Sequence, residues 1–371
     1  MTGATSPLEI EIRRRITAAG PMPVVKYMAL CLTDSEHGYY RTRDPLGVAG
    51  DFTTAPEISQ MFGEMIGLWM VAIWRAMGTP ENMRLIELGP GRGTMMSDAL
   101  RAAKVVPEFG HAAAVHLVEI SPVLRQLQER TLEESGVPVS WYDSMTEVPV
   151  GPAIIVANEF FDALPVHQAV KMPDGWHERG VGIGDDGKFI FVALPDPIAH
   201  FAPILPAAMA DAREGEIFEW RTAAEAFEIG RRIGREPGAA LIIDYGHDES
   251  AAGETFQAVG QHGFADPLST PGMVDLTAHV DFQAISRAVE AMGVRGYGPV
   301  TQAEFLHRLG IKTRAAALKQ NLSRAKAADI DAALARLTGG GRTGMGSMFK
   351  ASAFAHPKLG MPPGFENSWP L

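Results

Sequence analysis

Leu85-Ile86-Glu87-Leu88-Gly89-Pro90-Gly91-Arg92-Gly93-Thr94 runs from a short apolar strand through glycines into a helical stretch from about Thr94 to Lys104. Glycines at such a junction let a ligand press against the backbone, and the helix N-terminus offers unpaired N–H groups. The spacing is informative. Glycines at 89, 91 and 93, preceded by the acid Glu87, make Gly-x-Gly-x-Gly. A dinucleotide fold asks for Gly-x-Gly-x-x-Gly, and a P-loop ATPase needs a Gly-x-x-x-x-Gly-Lys-[Ser/Thr] run that this chain lacks.

Outward from this loop, the pattern alternates between strand and helix. Ala114 to Glu119 reads as a second strand, Ser121-Pro122 caps a helix to about Ser135, and Val137 to Tyr142 is a third strand. Ala153-Ile154-Ile155-Val156-Ala157 is a fourth and Ala239 to Tyr245 a fifth, both nearly all apolar as doubly covered strands should be. The expectation is an α/β fold with a doubly wound parallel sheet. Ser347 to Phe354 reads as a last strand returning to it.

Two inserts interrupt the pattern. Between Val166 and Leu194, three β-like runs separated by Pro173-Asp174-Gly175 and Gly184-Asp185-Asp186-Gly187 read as an antiparallel ribbon over about 166–195. An Ala-rich helical insert covers about 302–338. Upstream, Ser6-Pro7-Leu8-Glu9 is a helix start, followed by Leu8, Ile12 and Ile16 at helical spacing. A second helix spans about Pro23 to Leu32, and Pro56 opens a long one striped by Ile58, Phe62, Met65, Trp69 and Ile73. The expected division is a helical N-terminal segment over 1–82, covering the ligand site, and a sheet domain over 83–371.

Composition bounds the partners. The chain has 371 residues, 46% hydrophobic and 21% charged, which excludes a wholly disordered protein. A net charge of −11 argues against nucleic acid and anionic membrane as partners. Cys31 is the one cysteine, so no intramolecular disulfide or Cys-rich metal site can form, and no metal is expected. Met1 to Pro7 is short and polar with Glu9 and Glu11 behind it, which fits neither a signal nor a transit peptide; a cytoplasmic protein is expected.

Glu119 closes the second strand, where a carboxylate can accept both hydroxyls of a ribose. Asp143 and Ser144 follow the third strand as candidate ligand contacts; the alternative for Asp143 is a plain turn residue. The fourth strand ends in Asn158-Glu159-Phe160-Phe161-Asp162-Ala163-Leu164-Pro165, which aims two carboxylates and an amide at the carboxyl edge of the sheet.

The Glu87 to Thr94 run resembles motif I of class I S-adenosylmethionine-dependent methyltransferases. Five further segments resemble the MidA-like methyltransferase family: His37-Gly38-Tyr39-Tyr40, Gly50 to Glu64, Asn158 to Pro165, Asp244-Tyr245-Gly246 and Val274 to Phe282. The resemblance runs from about residue 20 to 355. It implies a Rossmann-like class I methyltransferase fold and S-adenosylmethionine as cofactor, held by Glu87, Gly89, Gly91, Gly93, Thr94, Glu119, Ser121, Asp143, Ser144 and Asn158. The implied reaction is N-methylation of a protein arginine, with symmetric dimethylarginine as product. The implied partner is the 49-kDa-type core subunit of respiratory complex I or a bacterial counterpart.

A guanidinium is delocalised, always charged and a poor nucleophile, so carboxylates must grip it and fix one nitrogen. Glu159 is the first candidate for that clamp, with Asp162 and Glu57 as candidates for a second carboxylate. Asp162 reads equally as a helix cap, and Glu57 as an acid favoured in the first turn after Pro56. His279 is a candidate for orienting substrate or taking a late proton; a structural histidine is the alternative. A non-catalytic assembly chaperone and a small-molecule methyltransferase remain as rival readings, and a homodimer is left open.

Overall fold

The computed structural model describes residues 6–42, 53–203, 205–260, 263–341 and 344–366. The glycine loop follows β1 (Met83–Leu88), which sits inside a larger sheet. Its companions are β2 (Ala113–Val118), β3 (Val139–Tyr142), β4 (Ala153–Asn158), β5 (Gly238–His247), β6 (Arg295–Thr301) and β7 (Phe349–Ala355). Their order is β6-β7-β5-β4-β1-β2-β3. β1 to β5 pair in parallel, as βαβ crossovers require. β4 is buried along its whole length, the signature of a strand covered on both faces.

The five expected strands form the parallel part, and the returning strand adds antiparallel pairs at one side. β7 runs antiparallel to both β5 and β6, so the sheet is mixed. β6 carries no strand signal in the sequence, because Gly296, Gly298 and Pro299 break its apolar alternation; its register with β7 shifts between Tyr297 and Val300.

Two helices on this sheet frame the loop: α1 (Gln60–Ala76) and α2 (Thr94–Ala103). Small residues let them cross closely, since a Cβ at Gly67 would lie 2.3 Å from the Ala99 carbonyl oxygen. The long helix expected from Pro56 is in fact two. Ser59 is extended, at φ −164° and ψ 140°, and its hydroxyl caps α1 by accepting from Met61 N–H. A separate turn, Ala55–Ile58, precedes it. α3 (Pro122–Leu132) follows β2, capped by Ser121 as its Ser-Pro start predicts.

The compact units divide the chain differently from a boundary at residue 82. One comprises Thr53–Phe161, Ala223–Asp248 and Phe282–Leu371. It takes in α1 because Phe62, Met65, Trp69 and Ile73 join the same core as Leu85, Ile154 and Leu241. The helical insert belongs to it as three helices, Gln302–Arg308, Ile311–Lys319 and Arg324–Thr338.

The other unit comprises Met1–Phe52, Asp162–Thr222 and Glu249–Asp281. Its helices Pro7–Ala19 and Val24–Thr33 bury Leu8, Ile12, Ile16, Tyr27, Met28 and Cys31 in a second core. The expected ribbon is present as His167–Met172, Gly175–Ile183 and Phe189–Pro197, and it recruits Met22–Pro23 and Ile217–Trp220 into a five-stranded sheet. A small sheet of Gln257–Gly260, Gly263–Ala265 and Asp275–Thr277 completes the unit. Gly50, Asp51 and Phe52 of the family-like segment lie outside the described residues.

Candidate active site

The loop after β1 takes a conformation that only glycine adopts cheaply. Gly89, Gly91 and Gly93 have φ of 60°, 55° and 80°. Gly89 is also crowded, because a Cβ there would lie 2.8 Å from Phe160 Cδ2. Gln128 on α3 fixes the loop by donating from Nε2 to the Gly91 carbonyl at 2.7 Å, while Trp141 Nε1 donates to Gln128 Oε1 at 2.8 Å.

Glu119 leaves the end of β2 nearly buried. Its carboxylate accepts the Ser121 N–H at 2.7 Å and Gln128 Nε2 at 3.3 Å. Burial pushes its carboxyl up to about 7, against the opposing pull of those hydrogen bonds. Glu87 is buried within β1, and burial raises it to about 8. Its Oε2 has no hydrogen-bond partner among the described residues, and neither has Asn158 Oδ1 at the end of the neighbouring β4. Two orphaned acceptors at adjacent strand ends are what a ligand bearing donors or positive charge would satisfy.

Three expected cofactor contacts have protein partners here. Asp143 is exposed and pairs with Arg125 at 2.6 Å, the same guanidinium that donates to the Glu119 carbonyl. The Ser121 hydroxyl accepts from Leu124 N–H as the cap of α3. Ser144 caps the short 3-10 turn Met145–Glu147 through Thr146 N–H.

Glu159 has φ of 50°, a left-handed position costly for a non-glycine residue. Its Oε1 accepts the Ala55 N–H at 2.9 Å and Asn158 Nδ2 at 3.2 Å. The strained turn is held from behind. Asp244, fully buried at the end of β5, accepts the N–H groups of Phe160 and Phe161 through Oδ2, and of Tyr245 through Oδ1. Asp244 supports the backbone, a role its place in a family-like segment does not reveal.

Glu57 lies on the turn Ala55–Ile58, ahead of α1. Its Oε1 accepts the Thr94 hydroxyl at 2.6 Å and its Oε2 faces Arg92 Nη1 at 3.4 Å. Both oxygens therefore engage the glycine loop.

Asp162 and His279 belong to the other unit, where Arg221 ties their backbones together. Its guanidinium donates to the carbonyls of Leu164 and His279 at 3.0 and 2.8 Å, and of Asp162 and Ala278 at 3.0 and 2.7 Å. Ala278 N–H also donates to the Asp162 carbonyl at 3.1 Å. Nothing in the sequence around Arg221 signals this clamp, which joins segments more than fifty residues apart.

A glycine loop after β1, an acid closing β2 and the order β6-β7-β5-β4-β1-β2-β3 define an S-adenosylmethionine-dependent methyltransferase of the class I fold. The chain belongs to the family described as "Putative S-adenosyl-L-methionine-dependent methyltransferase", whose model matches residues 65–300. Its cofactor is S-adenosylmethionine. It is 38% identical over 341 residues to "Protein arginine methyltransferase NDUFAF7, mitochondrial" of Homo sapiens, covering 83% of this chain and 74% of that one. The Drosophila melanogaster homologue is 38% identical over 329 residues, covering 81% and 74%. A Burkholderia thailandensis protein whose crystal structure holds S-adenosyl-homocysteine superposes with a TM-score of 0.84 at 29% identity, covering 97% of this chain and 95% of that one.

Proposed function

We propose that the chain methylates an arginine nitrogen of a protein, and that this protein is the 49-kDa-type core subunit of respiratory complex I or its bacterial counterpart. The observation that carries the reading is Glu159, a carboxylate held in a strained turn at the end of β4 by Asn158, Ala55 and Asp244. The relatives named as protein arginine methyltransferases support arginine as acceptor. The complex I subunit and symmetric dimethylarginine follow from the family resemblance. Those relatives are named mitochondrial.

S-adenosylmethionine, when bound, supplies a sulfonium-activated methyl group. Glu119 would hold its ribose, Gly89, Gly91, Gly93 and Thr94 would shape the loop against it, and the open acceptors of Glu87 and Asn158 would face it. Glu159 would pair with the substrate guanidinium, localise its charge away from the reacting nitrogen and align that nitrogen. The new N–C bond forms as the C–S bond breaks, sulfur keeps the electron pair, and the nitrogen gives up a proton.

Glu159→Gln tests this reading. With purified 49-kDa-type subunit and labelled S-adenosylmethionine, the variant should lose methyl transfer by at least a hundredfold and still bind S-adenosylhomocysteine. Mass spectrometry of the wild-type product should show dimethylarginine of the symmetric form. Wild-type rates from Glu159→Gln, or label only in small molecules, would overturn it.

A further inference from the structure

We infer that Glu57 is a positioning residue for the cofactor loop, and that the turn Ala55–Ile58 joins this loop to the Glu159 carboxylate. The inference rests on the methyltransferase reading but assigns Glu57 away from the substrate arginine.

Three contacts carry it. Thr94 opens α2 straight after Gly93, and its hydroxyl donates to Glu57 Oε1 at 2.6 Å, a short charge-assisted bond. Arg92, between the second and third glycines, faces the other oxygen of Glu57 at 3.4 Å. Two residues before Glu57, the Ala55 N–H donates to Glu159 Oε1 at 2.9 Å. One helical turn thus touches the loop with a side chain and Glu159 with its backbone.

The chemistry favours this over a substrate clamp. Three glycines leave the loop with high backbone freedom, which must be restrained before it can press on a ligand. An arginine within that loop sets a positive charge beside a site that takes a cationic sulfonium, and Glu57 compensates it. A carboxylate committed to a threonine and an arginine of its own chain would have to release both to grip a substrate guanidinium.

The test uses the full-length protein with S-adenosylhomocysteine as the calorimetric probe. Glu57→Gln keeps an acceptor for Thr94 but loses the charge, and should weaken binding roughly tenfold. Thr94→Val should weaken it similarly, and the double variant should cost clearly less than the sum of the two, because both remove one interaction. In turnover, KM for S-adenosylmethionine should rise while kcat at saturating cofactor and KM for the protein substrate stay within about twofold. Unchanged S-adenosylhomocysteine affinity with a fall in kcat would return Glu57 to the substrate and overturn the inference. So would additive losses in the double variant. Binding is read without any protein substrate, so a wrong substrate assignment would leave this result intact.

Discussion

Asp244 Oδ2 accepts the Phe161 N–H at 3.0 Å and so fixes the turn that begins at Glu159. The same carboxylate serves the amides of Phe160 and Tyr245. Asp244→Ala would strand three backbone donors and is expected to lower stability by about 3 kcal/mol or more. Asp244→Asn should be milder. In both variants, methyl transfer should fall more than S-adenosylhomocysteine affinity, because the displaced turn carries Glu159, the proposed guanidinium clamp. Thermal melts and calorimetry on the same samples check this.

The role proposed for Glu119 makes cofactor binding depend on pH. Burial raises its carboxyl from the ordinary value of 4.5 to about 7. Between those values the folded chain holds the proton that the unfolded chain has lost, so this group's contribution to apo stability falls as pH rises through the window. A ribose is best held by the ionised form. S-adenosylhomocysteine affinity should therefore weaken as pH drops from 8 to 6, with proton release on binding. Glu119→Gln should weaken binding at pH 8 and flatten the dependence. An equally steep profile in the variant would place the titration elsewhere.

Gly89 faces two separate restrictions, its φ of 60° and the ring of Phe160 2.8 Å from where a Cβ would lie. Gly89→Ala should cost about 1 kcal/mol for the left-handed backbone and about 1–3 more for the overlap. Pairing it with Phe160→Ala should recover the overlap alone. Denaturant melts of the single and double variants separate the two costs.

Glu64 is buried on α1 and meets Arg314 of the helical insert bidentately at 2.7 and 2.8 Å, with Arg101 of α2 at 2.7 Å. Burial pushes its carboxyl up, but hydrogen bonds from Arg314 and Arg101 outweigh this and leave it below the ordinary value. The stabilisation is therefore full above the ordinary carboxylate range and lost as pH falls through the depressed value. Because both arginines are partly exposed, Glu64→Ala is expected to cost about 2–3 kcal/mol. The melting temperatures of variant and wild type should converge under acid.

Much of this was readable in the chain. The apolar runs of β4 and β5, the Ser-Pro cap of α3 and the three glycines carry local signals that tertiary packing reinforces. Less legible was anything depending on a distant neighbour. The stripe from Ile58 to Ile73 has helical period on both sides of Ser59, so periodicity could not reveal that its hydroxyl turns back to start a new helix. Glu57 reads as an ordinary first-turn acid until Thr94, 37 positions away, is seen to donate to it. Strand Ile217–Trp220 is four residues long, too short to show a period, and is defined by its pairing with His167–Met172.

β7 has an implication for how the protein comes into being. It lies between β5 and β6, yet it is the last strand of that sheet to leave the ribosome. Ala239 waits for Ala355, over a hundred residues downstream, before that edge of β5 is sealed. Until then, a nascent chain exposes a buried, apolar strand with an open row of backbone donors and acceptors, the kind of surface that recruits chaperones or pairs wrongly with another copy. A chain cut before Phe349 would keep every glycine of the loop after β1 while β5 lacks its antiparallel neighbour.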